Sequence, residues 1–519
     1  MRLTSAQRQL YNMEIFAGDS IGVICGTVLF DKIYDINEMK RAINEVYKIN
    51  ESLRTRIKVE DGEPVQYVKE YTERDIKVLH FNTKDEVHAF ADEMAHTPFD
   101  FSGNLCELDI LMSERFCGVI YKLHHIISDG WTLALIASQF YKILHGETVE
   151  AFPYSKYVEE EAKYLESKRA QKDREYFMGQ YQKFDEPVYL FDAPPTLGKS
   201  KRKSYIIGKE SASKIMEYLE EKNISPYVFF FTLVNTYFSR IKNNAEKFYL
   251  GTIILNRTTQ VQRNTAGLFV NTVPYLSEIE PKESFLFNLK SIEEKIFGLL
   301  RHQRFNYNEM LSKIKESHLF DVIFSYQNNI IYGDHSLSTW YHNGMQSETL
   351  QIHIDDRDSD GVFRVHYDYQ TSKFDEYAID NMHMRLTTLI DDIINNENKP
   401  VCDLSLLKDD EKKIILKDFN DTKAEYPQDK CIHELFEEQV ERTPEKVALV
   451  ATDKKVTYRE LNEEANRIAN NLINQGIGKG DIVGLMLPRK SYLLSALFGI
   501  LKTGAAYLPI DSELPIERI

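Results

Sequence analysis

Along the chain, stretches in which apolar residues return every three to four positions alternate with stretches in which they crowd together or alternate singly, as expected for helices interleaved with strands. Residues 37–49 carry the helical period and are followed by an extended stretch through Val68 with a turn at Asp61-Gly62. The run Val119-Ile120-Tyr121-Lys122-Leu123 is β-branched and aromatic and predicts a strand. After it, Leu133, Ile136, Phe140, Ile143 and Leu144 recur on or near one face of a helix. Residues 157–181 read as one long helix whose charge run is a solvated face. Further on, 211–222, 226–240, 285–300 and 375–395 predict helices, and 248–255, 320–326 and 350–355 predict strands. Residues 362–369 alternate, placing Phe363, Val365, Tyr367 and Tyr369 on one face. The pattern predicts an α/β fold of mixed sheets flanked by helices.

Between the strand ending near Leu123 and the helix that follows lie His124, His125, Ile126, Ile127, Ser128, Asp129 and Gly130. A histidine at a strand end is held by the sheet while its ring can reach a cleft. Imidazole titrates near pH ~6.5, so it can take a proton from a nucleophile and return it to a leaving group. On an extended segment the two neighbouring histidines point to opposite sides, so one of them is expected to face substrate. Asp129 can fix the loop through a buried partner, and Gly130 allows close backbone approach. The plainer reading of the same residues is a loop with two satisfied histidines and Asp129 as the N-cap of the next helix.

Composition narrows the function. The 519 residues suffice for several domains, and 43% hydrophobic residues suffice for buried cores. A net charge of -16 argues against nucleic-acid or anionic-membrane partners. Cys25, Cys106, Cys117, Cys402 and Cys431 show no CxxC spacing, which suits reduced thiols in a cytoplasmic protein and implies no metal site. No secretory signal is evident, and the most apolar stretch, 491–508, is interrupted by Lys502 and Gly504, so it predicts a buried helix and turn. Gly18-Asp19-Ser20-Ile21-Gly22 fits GxSxG, but the strand-like run comes after it, not before, so a nucleophile elbow is not expected. His433-Glu434 lacks the second histidine of a zinc helix, and His302, His318, His353 and His366 are read as structural or surface residues.

HHIISDG resembles the HHxxxDG signature of nonribosomal peptide synthetase condensation domains. TSAQRQLY (4–11) and NESLRTRI (50–57) are similar to that family's first two core motifs, and AGLFVNTVP (266–274) to its GxFVNT element. RHQRFNYNEML (301–311) resembles the following motif, with Arg304 and Asn306 in place of its usual Asp and Pro. Farther on, VTYRELNEEANRIANNL (456–472) and LKTGAAYLPID (501–511) resemble the first two core motifs of adenylation domains. The sequence stops at Ile519 before any glycine-rich phosphate loop, and GxxxxGK[ST] occurs nowhere in it, so a truncated adenylation start unable to use ATP is expected.

The resemblance implies two chloramphenicol-acetyltransferase-like lobes forming a V-shaped pseudo-dimer, residues 1–175 and 176–416. A linker at 417–444 and a partial adenylation N-terminal subdomain at 445–519 would follow. It implies aminolysis of an acyl thioester by an aminoacyl amine, an acyltransferase reaction, with His125 as the catalytic group, either general base or positioning group. His124, Asp129 and Gly130 would then be structural, with Arg54 the salt-bridge partner of Asp129. Trp131, Asn271 and Tyr326 are candidates for the substrate channel. The chain itself would bind no cofactor; substrates would arrive on phosphopantetheine. Expected partners are peptidyl or acyl carrier proteins, a fatty acyl-CoA or acyl carrier donor, and downstream adenylation and carrier domains, with the chain a monomer. Residues 251–274, 300–308 and 319–328 look like starter domains that attach a fatty acyl group in lipopeptide synthesis, and Met1 lies just before the first motif. An elongation domain with an aminoacyl or peptidyl carrier donor supplied in trans, and a degenerate domain that only recruits partners, are the alternatives.

Overall fold

Two large sheets and a separate hairpin, Thr55–Glu60 paired with Glu63–Val68, carry the first 411 residues. The smaller sheet has five strands in the spatial order Leu337–Tyr341, Val23–Phe30, Cys117–His124, Cys106–Met112 and Val78–His80. Its three central strands are nearly continuous runs of buried apolar residues, because helices cover both faces. Ile36–Ile49 covers one face and packs with Gly130–Leu144. Val87, Ala91 and Ala95 of Lys84–Ala95 pack on the other with Leu29, Leu111 and Ile120. The larger sheet has seven strands in the order Met345–Gln346, Gly198–Ile207, Phe363–Gln370, Leu350–Asp355, Val322–Gln327, Lys247–Ile254 and Asn271–Glu278. Its core is organised around Pro226–Ile241, which is buried on all sides from Val228 to Ser239 and starts at the Ser225 N-cap. The computed structural model describes residues 1–17, 21–183, 196–316, 318–328, 331, 333, 337–358, 360–511 and 514–515.

The mixed α/β architecture is the one the hydrophobic pattern predicts, though that pattern does not place Lys84–Ala95, Gly198–Ile207 or Asn271–Glu278, and other elements differ. The expected long helix 157–181 is two helices, Tyr154–Leu165 and Lys168–Lys183, because Ser167 caps the start of the second through its Oγ, 3.2 Å from the Ala170 N–H. The proposed lobe division at 175/176 therefore falls inside the second helix. The lobes are also not separate in sequence: Leu337–Tyr341, from the second half, pairs antiparallel with Val23–Phe30 in the register Cys25 with Tyr341 and Leu29 with Leu337. This strand was not anticipated.

The second compact unit is residues 412–519. Within the expected linker, Ile432–Arg442 is a helix belonging to this unit's core, its Phe436 ring stacked 4.1 Å from that of Phe498. The extended, exposed stretch is 421–430. Tyr458–Asn474 opens with a capping box of Thr457 and Glu460, and the apolar stretch 491–508 forms the helix Tyr492–Lys502, a turn at Gly504 with φ +82, and the strand Ala506–Pro509. No helix among the described residues is long and apolar enough to cross a membrane.

Candidate active site

The strand Cys117–His124 ends at His124, and His125–Ile127 turns the chain as a single 3-10 turn. His124 is fully buried. Its Nδ1 accepts the Ile126 N–H at 3.0 Å, so the ring proton sits on Nε2, 2.9 Å from Glu14 Oε2. His125 takes the other direction. Its backbone N–H donates to Gly22 O at 2.5 Å, and its ring lines a cavity of about 330 Å³ between the lobes. Its Nδ1 is buried and finds no hydrogen-bond partner among the described residues. Burial pushes the imidazole below the usual histidine range, more than the charge of Asp129 lifts it, so the ring is neutral near pH 7 and able to accept a proton.

Asp129 is the N-cap of Gly130–Leu144, accepting the Thr132 N–H at 2.8 Å. Its cation is not Arg54, as expected from the sequence, but Arg257. Arg257 Nη2 lies 3.0 Å from each Asp129 oxygen, and both side chains are fully buried. Arg257 Nη1 donates to Gln262 O and Thr265 O at 2.6 and 2.5 Å, and the guanidinium covers the Phe269 ring at 3.9 Å. Asp129 Oδ2 also accepts the N–H groups of Phe269 and Val270 at 2.9 and 3.3 Å. Burial alone would raise the Asp129 carboxyl; Arg257 and the N–H groups of Phe269 and Thr132 outweigh it and hold the carboxyl below its usual range. Arg54 is spent elsewhere, donating to the carbonyls of Tyr47, Lys69 and Lys48 at 3.1, 2.7 and 3.3 Å. It braces the turn after Ile36–Ile49.

The other expected positions separate. At Gly130 a Cβ would stand 2.9 Å from Trp340, which explains the glycine. Trp131 donates its indole N–H to Arg263 O at 2.8 Å, a tie between lobes, and does not line the cavity. Asn271 donates to Gln303 O and Phe305 O at 2.9 and 2.5 Å and lines a separate small cleft with Arg304 and Asn306. Tyr326 donates to Asp356 at 2.8 Å and is likewise absent from the cavity wall. The cavity that His125 lines is bounded instead by the apolar Leu10, Met13, Val23, Ile253, Ile323 and Trp340 and by the polar Arg202, His342, His353 and Asp368. Arg202 and Asp368 form a two-toothed pair, 2.7 Å at each contact, with His353 Nε2 3.2 Å from Asp368. Sequence reasoning missed Trp340 because its strand is placed only by pairing with Val23–Phe30.

Among the set-aside residues, His302 pairs with Asp173 at 2.7 Å, and His353 and His366 are hydrogen-bonded within the large sheet. Of the GxSxG string, Gly18, Asp19 and Ser20 lie outside the described residues. No group of three or more His, Cys, Asp or Glu suited to a metal ion occurs among the described residues.

A neutral histidine at a sheet end, facing a cavity between two mixed α/β lobes that share a strand, is the layout of a two-lobed acyltransferase. The chain belongs to the condensation-domain family, which matches residues 1–416, and an AMP-binding enzyme segment matches residues 436–519. Condensation domains form amide bonds in nonribosomal peptide synthesis. Surfactin synthase subunit 1 of Bacillus subtilis (strain 168) is 28% identical over 547 residues, covering 100% of this chain and 15% of that protein. Gramicidin S synthase 2 of Brevibacillus brevis is 26% identical over 549 residues, covering 100% of this chain and 12% of that protein. The chain thus spans 15% or less of the length of these two relatives. In fold it is similar to a starter condensation domain of rhizomide synthetase in complex with C8-CoA and Leu-SNAC, at TM-score 0.70 and 16% identity over 79% of this chain and 97% of that one. It is also similar to the first condensation domain of the calcium-dependent antibiotic synthetase, at TM-score 0.72 and 17% identity over 79% and 99%.

Proposed function

We propose that residues 1–416 join an acyl thioester to the α-amine of an aminoacyl group held on a carrier protein, and that the acyl donor is a fatty acyl group. The observation that carries the reading is His125: a neutral imidazole whose buried Nδ1 finds no partner among the described residues, directed to an inter-lobe cavity by a loop pinned at both ends. The amine nitrogen attacks the thioester carbonyl, the C–S bond breaks, and the thiol of the phosphopantetheine arm leaves. The proton lost from nitrogen passes to His125 or, if His125 only holds the amine by a hydrogen bond, to the departing thiolate. The chain supplies no cofactor in this scheme; both substrates come on phosphopantetheine.

The fatty acyl donor is supported by the starter-like stretches 251–274, 300–308 and 319–328 and by the apolar wall of Leu10, Met13, Val23, Ile253 and Ile323. The polar portion at Arg202, His342, His353 and Asp368 favours the second reading, an elongation domain taking an aminoacyl or peptidyl donor. A mass-spectrometric assay separates them. The chain is mixed with an acceptor carrier loaded with a panel of aminoacyl groups and given either fatty acyl-CoA or an aminoacyl carrier. Acyl-aminoacyl carrier formed from acyl-CoA and lost in His125→Ala is the expected result. Dipeptidyl product from the aminoacyl carrier alone would establish elongation, and no product from any loaded pair would leave only recruitment.

A further inference from the structure

Glu14 lies on the first helix, Ser5–Ala17, far in sequence from the histidines, and its side chain is buried against them. Its Oε2 receives the His124 Nε2–H at 2.9 Å and its Oε1 the Gly22 N–H at 2.6 Å. Each of these partners holds one flank of His125. Gly22 O accepts the His125 N–H at 2.5 Å, and His124 Nδ1 accepts the Ile126 N–H at 3.0 Å. One carboxylate therefore fixes the backbone on both sides of His125 through two intermediaries. Gly22 must be glycine for this: a Cβ there would stand 2.6 Å from both Glu14 Oε1 and His124 Cε1. The rings of Phe101 and Phe99, centred 4.8 and 6.0 Å from that of His124, close the other side.

We propose that Glu14 is a positioning residue for the condensation reaction, setting the direction of the His125 ring through His124 and Gly22. This rests on the proposed function of His125. The arrangement differs from a proton relay. His124 Nδ1 is taken up by an N–H, so His124 has no lone pair left to exchange protons with His125 and acts only through geometry. A glutamine at position 14 does not reproduce the contact. Its single oxygen can serve Gly22 or His124, and its NH₂ then faces the N–H of the other.

The test uses the full chain with loaded carriers. Glu14→Gln and Glu14→Leu are each expected to lower kcat about 10- to 100-fold, in the range of a lost alignment, with KM for either carrier changed less than about twofold. The paired variant Glu14→Leu/His124→Phe is expected to lose no more than the worse single variant, because both act on the same turn. If Glu14→Leu does not fold, the near-isosteric Glu14→Gln carries the test. A folded Glu14→Gln with kcat within twofold of the parent, a raised KM at unchanged kcat, or multiplicative losses in the pair would overturn the proposal. Histidine-selective ¹⁵N spectra read it without turnover: the His124 Nε2–H tautomer is expected in the parent, and the His125 signals are expected to move in Glu14→Gln. A parent inert with every donor sinks the functional reading, and the spectra then decide the positioning role alone: unmoved His125 signals would refute it.

Discussion

At the scale of single residues, the site depends on one fully buried ion pair, and its two ends differ in how readily they are read. Asp129 was visible because it follows two histidines at a fixed spacing in a strand-loop-helix setting. Arg257 was not, because it follows Asn256, a residue in the left-handed region at φ +54, on a segment whose burial no local pattern announces. Arg54 was the nearer choice in a recognised motif, and it proves to hold carbonyls. Removing Arg257 strands a carboxylate in a dry site, so Arg257→Met is expected to cost roughly 3–5 kcal/mol. Arg54→Ala, losing hydrogen bonds at a part-exposed turn, is expected to cost only about 1–3 kcal/mol. Urea unfolding followed by circular dichroism checks the contrast, and equal losses would contradict the assignment. The pair also sets acid behaviour. The folded carboxyl of Asp129 lies below its unfolded value of about 3.9, so its stabilisation is complete above that pH and is lost as pH falls through the folded value. Arg257→Met should therefore flatten the loss of stability below about pH 4 relative to the parent.

At the scale of elements, periodicity found most helices and the strands with strong alternation, and it failed where a boundary or a partner lies outside the local window. The Ser167 break carries no proline or glycine and shows only once the cap is seen. Leu337–Tyr341 is five residues whose strand character comes from a partner in the other half of the chain. That strand explains a residue which the sequence singled out for another reason. Trp340 occupies the space over Gly130 and is itself covered by Arg357, whose guanidinium lies 4.0 Å above the indole. Gly130→Ala is thus expected to destabilise the chain by about 1–3 kcal/mol through overpacking, with most of that recovered in Gly130→Ala/Trp340→Phe. Thermal unfolding of the two singles and the double reads the coupling; additive effects would mean that the glycine is needed for its backbone alone.

At the scale of the whole molecule, the family and the order of its two segments were legible because motifs spread from residue 4 to residue 511 keep their sequence order. The division into compact units was less so: the second unit begins at Lys412, before the expected linker, the helix Ile432–Arg442 packs into its core, and the exposed stretch without helix that precedes it is residues 421–430. That stretch carries Lys423 and Lys430. Limited trypsin digestion is expected to cut there first and release residues 1–423 or 1–430 intact by mass; earlier cuts within the first 411 residues would show that the two units are not bounded as the fold places them.

The shared strand also constrains how the protein can be made. Val23–Phe30 leaves the ribosome before both of its partners and finds Cys117–His124 for one edge, but the mate for its other edge is Leu337–Tyr341. Roughly three hundred residues separate the two, and at ~5–20 residues per second their synthesis takes on the order of 15–60 seconds. For that interval a nascent β-edge of sequence VICGTVLF stands open to any neighbouring chain emerging from the same polysome. Protection of the newborn first half, by slow crowding or by a chaperone, is therefore set by the position of a single five-residue strand.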